Sequence, residues 1–164
     1  MLFRSANDKL RASTAYMWKA KFGDDLDQQL ADFARAAELN PDNLGILRQQ
    51  AEFLHGKQQY EEAVKTLRKL LDATPDDTKL RLALAESLSR IGEEGIGEAF
   101  EQLEKIIELD PEMTAVYRMR AQLYFGQEKP KDAIADLTRA IQIDRGDIGA
   151  RLFRADIYLL DRNP

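Results

Sequence analysis

Apolar residues recur along this chain three and four positions apart, in blocks of about a dozen residues, which is the spacing that lines one face of a helix. Leu47, Ala51 and Leu54 share such a face, and His55-Gly56 closes the block. Tyr60, Ala63, Val64, Leu67, Leu70 and Leu71 form the next stripe, which Thr74-Pro75-Asp76-Asp77 ends because proline has no N–H to continue a helix. The same two-stripe unit returns as Leu84, Ala85, Leu88 and Ile91, then Ala99, Leu103, Ile106 and Ile107. It returns again as Tyr117, Ala121 and Tyr124, then Ala133, Ile134, Leu137, Ala140 and Ile141. Near the start, Ala15 and Trp18 precede Leu26, Leu30, Phe33, Ala37 and Leu39, with Gln29 where later units place Ala63, Ala99 and Ala133. Each unit therefore predicts two helices joined by a short turn.

The units keep a fixed period. An alanine followed three positions later by a large apolar residue occurs at Ala15, Ala51, Ala85, Ala121 and Ala155, spaced by 36, 34, 36 and 34 residues. Pro41, Pro75 and Pro111 mark the inter-unit turns, and Arg145 takes the fourth such place. The extra residues of the longer units are expected in turns, at Gly23-Asp24-Asp25 and from Gly92 to Gly97, where insertion disturbs packing least. A recurring small residue lets two helix backbones cross closely, and the large residues beside it fill the seam between stacked units.

Period, paired helices, small crossing residues and closing proline together resemble the tetratricopeptide repeat (TPR) family across roughly residues 8 to 161. Two departures stand out: the aromatic and glycine of the family's first helix are mostly replaced, and Arg145 stands for the fourth proline. The resemblance implies an all-α fold, a right-handed α-solenoid of about nine helices. Its segments would be an N-terminal extension over 1–7, repeats over 8–43, 44–77, 78–113 and 114–147, and over 148–164 the first helix of a fifth repeat or an unpaired cap.

Composition narrows the function more than the fold. The 164 residues carry a formal charge of -5, so a general attraction to phosphate backbones is missing and nucleic-acid binding is not expected. No cysteine is present, which removes disulfides, thiolate metal sites and cysteine nucleophiles together. His55 is the single histidine, so neither a triad nor a histidine metal cluster can be assembled. No run approaches the roughly 18 apolar residues of a membrane span, and charges interrupt any signal-like core at the start. A soluble chain is expected, its compartment undecided between cytoplasm and periplasm.

The remaining motifs read as structure. The acidic pairs Asp24-Asp25, Glu61-Glu62, Asp76-Asp77 and Glu93-Glu94 fall at helix starts, where anions satisfy free N–H groups and complement the helix dipole. Gly92, Gly95 and Gly97 have neither a preceding strand nor the Lys-Ser/Thr of a phosphate loop. Arg145-Gly146-Asp147 matches an adhesion tripeptide but lies where an inter-unit turn is needed. No catalytic, cofactor-binding or metal-ligating set emerges, and the chain reads as a non-enzymatic scaffold requiring no cofactor.

What the resemblance does imply is a binding groove. The first helices of such repeats line a surface that holds a peptide or partner protein, and counting from the recurrent alanines places Arg48, Glu52, Lys79, Glu86, Arg118, Met119, Gln122, Phe125, Phe153 and Asp156 on it. Ser13 and Tyr16 are counted to the same surface in the first unit. Met119, Phe125 and Phe153 would form an apolar cluster suited to an aromatic or leucine anchor. Chaperone-binding members grip a terminal carboxylate with lysine and asparagine at set places, which here hold Ala12 and Tyr16, Arg48 and Glu52, Leu82 and Glu86, or Arg118 and Gln122. None reproduces the clamp. A second reading of the chain is an accessory or regulatory domain of a larger enzyme or of a transport or secretion assembly.

Both ends carry expectations. Met1-Leu2-Phe3-Arg4-Ser5 can be encoded by a start codon fused to a common sequencing-library adapter, which suggests an assembly scar ahead of Ala6. The stretch 148–161 is apolar on more than one face through Ile148, Leu152, Ile157, Tyr158, Leu159 and Leu160, so the chain is expected to be a fragment of a longer repeat protein and to self-associate through this helix.

Overall fold

The computed structural model describes residues 5–161, so the adapter-like reading falls mainly on residues 1–4, outside them. Among the described residues there are nine α-helices and no strand, arranged as helix–turn–helix hairpins of the α-solenoid class. The chain divides into two compact units, the first ending at Pro75 and the second beginning at Asp76.

The first unit holds α1 (Ala6–Phe22), α2 (Leu26–Leu39), α3 (Leu44–Gly56) and α4 (Tyr60–Ala73). Three of the four starts are fixed by a capping side chain. Ser5 caps α1 by accepting from the Asp8 N–H, Asp25 caps α2 through Gln28 and Asn43 caps α3 through Gly45. These side chains satisfy N–H groups that no helical carbonyl reaches. The α1–α2 and α3–α4 hairpins pack together across α2 and α3. Ala20, Phe33, Ala36 and Ile46 form the core there, flanked by Tyr16, Met17, Ala37 and Phe53. The Phe33 and Phe53 rings lie 5.4 Å apart.

In this unit the structure corrects the sequence register. Ala15 is exposed and Trp18 is 59% exposed, whereas Ala20 is fully buried. The α1–α2 turn is Gly23, Asp24 and Asp25, three residues long like the turns before Tyr60 and Pro130, so it holds no insertion. Aligned on that turn, Met17 and Ala20 take the places of Ala51 and Leu54. Ser13, expected on the open surface, is 2% exposed and its hydroxyl donates to the Ala36 carbonyl at 2.8 Å. A buried hydroxyl needs such a partner, and here the bond crosses the hairpin and fixes its register.

The second unit holds α5 (Thr78–Ile91), α6 (Glu93–Leu109), α7 (Thr114–Gly126), α8 (Pro130–Ile143) and α9 (Ile148–Asp161). Ala85, Ala99, Ala121, Ala133, Ala140 and Ala150 are fully buried at the crossings, as the recurrent small residues require. Leu103, Ile106, Leu137 and Val116 fill the seams; each buried Leu or Ile contributes about 1.5–3 kcal/mol. Asp77 caps α5 by accepting from the Lys79 and Leu80 N–H groups, and Pro130 begins α8, where its missing N–H costs nothing.

The glycine-rich stretch is not the expected turn. Gly92 alone joins α5 to α6, with φ of +119°, and Gly95 and Gly97 already lie inside α6. Gly95 abuts the Leu88 backbone: a Cβ there would stand 2.1 Å from the carbonyl oxygen, while a Cβ on Gly97 would meet nothing. The extra residues lengthen α6 because the hairpin turns on one residue and needs a glycine for close approach.

Candidate groove in the second unit

The first helices of the second unit bring together Glu86, Arg118, Met119, Gln122 and Phe153 of the expected surface. One concavity, with a volume of about 760 Å³, is lined by Glu86, Ser89 and Arg90 of α5, Glu93 and Ile96 of α6, and Met119, Gln122 and Gly126 of α7. A second, of about 380 Å³, shares Glu86, Met119 and Gln122 and runs on through Leu82, Ala115 and Arg118 to Gly149 and Phe153 of α9. The two are therefore one groove across α5, α7 and α9. Helical spacing explains the lining: Leu82 and Glu86, then Ala115, Arg118, Met119 and Gln122, recur three and four apart and so share one face of their helix.

The groove combines an apolar floor with charged edges. Met119 and Phe153 line the same concavity, and Phe125, which lines neither concavity, meets Phe153 edge to face with centroids 5.6 Å apart. The Arg118 Nε sits 3.2 Å from the Asp147 Oδ2, which orients a half-exposed guanidinium over the groove edge. Gly149 makes room for it, since a Cβ there would come within 3.2 Å of Nη1. Asp147 also accepts from the Ala150 N–H at 2.9 Å, so the tripeptide's aspartate is spent capping α9 and pairing Arg118.

Other expected residues lie elsewhere. Arg48 and Glu52 belong to α3 of the first unit, while Lys79 and Asp156 are exposed and outside both concavities. Arg90, Glu93 and Ile96 were not expected to line it. Counting from alanines assigned the stretch after Gly92 to a turn; an apolar Ile96 three places beyond Glu93 was the signal that a helix had already begun. No group of three or more His, Cys, Asp or Glu residues suited to a metal occurs among the described residues. No described helix is long and apolar enough to cross a membrane.

Comparison with known proteins identifies the repeat. No curated protein matches the sequence. The tetratricopeptide repeat family model matches residues 49–77 and 115–147. A crystal structure of MamA is similar at 17% identity over 93% of this chain and 80% of that one, with a TM-score of 0.73. A MamA double mutant reaches 0.77 at 17% identity, over 97% of this chain and 88% of the other. The first repeat domain of RPAP3 bound to an HSP90 peptide is similar at 19% identity over 74% of this chain and 95% of that domain, with a TM-score of 0.66. At such identities the likeness is one of fold. The match to the tetratricopeptide repeat model over residues 49–77 and 115–147, with the shared fold of these structures, identifies those two segments as tetratricopeptide repeats.

Proposed function

We propose that this chain is a non-catalytic interaction module that holds a partner segment in the groove of α5, α7 and α9. The observation that carries the reading is the floor of Met119 and Phe153, with Phe125 packed edge to face on Phe153, beside Arg118, Glu86 and Gln122: an apolar anchor site with polar groups to orient a backbone. Proteins of this repeat family are in general interaction modules, and the RPAP3 domain holds an HSP90 peptide. The carboxylate clamp pattern is missing here, so the favoured partner presents an aromatic or leucine anchor, not an acidic C-terminus. Selection from a displayed random-peptide library tests this. Selected peptides should carry such an anchor, and Phe153→Ala should weaken them about tenfold, or ~1.4 kcal/mol, with the helical spectrum unchanged. Peptides whose affinity ignores both Phe153→Ala and Met119→Ala would remove the groove from the proposal.

The bare face of α9 supports self-association as a second mode. Ile148, Leu152, Leu159 and Leu160 are each more than 60% exposed, an apolar patch of the kind that marks contact surfaces.

A further inference from the structure

The first unit holds a second, differently charged cleft that the groove reading does not involve. It lies where α1 passes into α2 and is lined by Lys19, Phe22, Asp24, Asp25, Gln29 and Asp32, together with Gly23 and Gln28. Three carboxylates against one ammonium make it acidic, and the Lys19 Nζ sits 5.5 Å from the Tyr16 ring centroid instead of pairing with an aspartate.

Asp32 is the unusual member. It is 6% exposed, and the hydrogen bond it accepts comes from the Gln28 Nε2 at 3.1 Å. No cation pairs with it among the described residues, although a buried carboxylate ordinarily requires one. The other hairpins show how the position is normally satisfied. In register with Asp32, Thr66 turns its hydroxyl to the Glu62 carbonyl, and Gln102 accepts from the Arg81 guanidinium at 2.6 Å. The fourth is Asp136, gripped by Arg120 through Nε and Nη2 at 2.7 Å each. Asp136 and Arg120 lie 104 residues beyond Asp32 and Tyr16, so the first hairpin keeps the carboxylate and has a tyrosine where the arginine belongs.

A second observation points the same way. The Gln29 Oε1 is the one buried side-chain nitrogen or oxygen among the described residues without a hydrogen-bond partner, in a residue 2% exposed that lines this cleft. Its Nε2 donates to the Gly23 carbonyl at 2.7 Å, which fixes which end of the amide is free. The cleft thus offers a carboxylate without a cation and a carbonyl without a donor. Beside them Phe22 is 64% exposed and stacked on Trp18 at 5.0 Å, a flat surface for a hydrocarbon stem or a delocalised cation.

We propose that the cleft between α1 and α2 binds the arginine side chain of a partner protein, its guanidinium forking onto Asp32 with a further N–H to Gln29 and its stem along Phe22. Guanidinium fits better than ammonium because its planar donors serve two acceptors at once, as Arg120 does on Asp136. Charge complementarity selects the occupant: the surrounding Asp24 and Asp25 attract a basic segment and repel an acidic one.

The test uses the whole chain and a capped Gly-Gly-Arg-Gly-Gly peptide, with its citrulline counterpart, followed by amide NMR shifts. The arginine peptide should give saturable shifts over residues 19–32 with a Kd on the order of 1 mM, and citrulline, neutral but isosteric, should bind at least tenfold more weakly. Asp32→Asn should weaken the arginine peptide tenfold or more while leaving Tm unchanged or raised, since it removes a buried carboxylate that no cation among the described residues pairs with. Phe22→Ala, at an exposed position, should weaken it several-fold without altering the fold. Equal binding of citrulline, undiminished binding by Asp32→Asn, a large fall in Tm for that variant, or no saturable shift in this segment would each overturn the assignment.

Discussion

Arg120 of α7 lies between the rings of Tyr117 and Tyr124, its guanidinium carbon 5.9 Å from each centroid, and forks onto Asp136 of α8. The side chains are only 19% and 8% exposed, so this is a largely buried ion pair joining the two helices of one hairpin. The guanidinium is held above its ordinary pKa first by the hydrogen bond to Asp136, against the opposing effect of burial. A group raised in this way stabilises the fold at every pH below its unfolded value and loses that contribution only as pH rises beyond it. The arginine's share is therefore constant across neutral pH.

Removing one partner of this pair strands the other. Arg120→Met should destabilise the second unit by about 3 kcal/mol, because Asp136 is left buried and charged. Arg120→Met with Asp136→Leu should recover most of that loss, since a well-packed apolar pair replaces the ions. Urea denaturation of the two variants decides it; equal losses would mean the pair's burial is not what makes the single change costly.

Two glycines in one helix should respond oppositely to the same change. Gly95→Ala drives a Cβ onto the Leu88 carbonyl and should cost about 1–3 kcal/mol or more, with a shift of α6 away from α5. Gly97→Ala meets nothing within 4 Å and should stabilise the chain by about 0.8–1 kcal/mol through helix propensity. Thermal melts of the pair check the contrast.

The turns before α4 and α8 each place a non-glycine residue in the left-handed region, Gln58 at φ of 62° and Glu128 at 59°. A side chain there costs about 1–2 kcal/mol, part of which glycine returns as unfolded-state entropy. Gln58→Gly and Glu128→Gly should each raise the denaturation midpoint by the equivalent of about 0.5–1 kcal/mol. Gly92→Ala, at φ of 119°, should lower it.

If the exposed face of α9 mediates self-association, its apparent mass by sedimentation should rise with concentration, and Leu152→Glu with Leu159→Glu should return a monomer. A wild-type chain that stays monomeric at millimolar concentration would exclude this mode.

The helices, their pairing into repeats and their stops were legible in the sequence because those signals are local. A 3.6-residue apolar period, an aspartate or asparagine cap and a proline-bearing turn act within a few residues. Thus Leu103, Ala121 and Leu137 were readable as interior without coordinates. The first repeat was misread by two residues because Ala15 mimics the recurrent alanine; only packing against α2 shows that Met17 and Ala20 face inward and Ser13 reaches the Ala36 carbonyl. Gly92 to Gly97 looked like a loop, since propensity alone cannot see that Gly95 must clear the Leu88 backbone. Which aspartate finds an arginine is likewise invisible along the chain. Asp32 and Asp136 hold the same register, yet their partners depend on a residue of the preceding helix 16 positions away, and that contact exists only once the hairpin has closed.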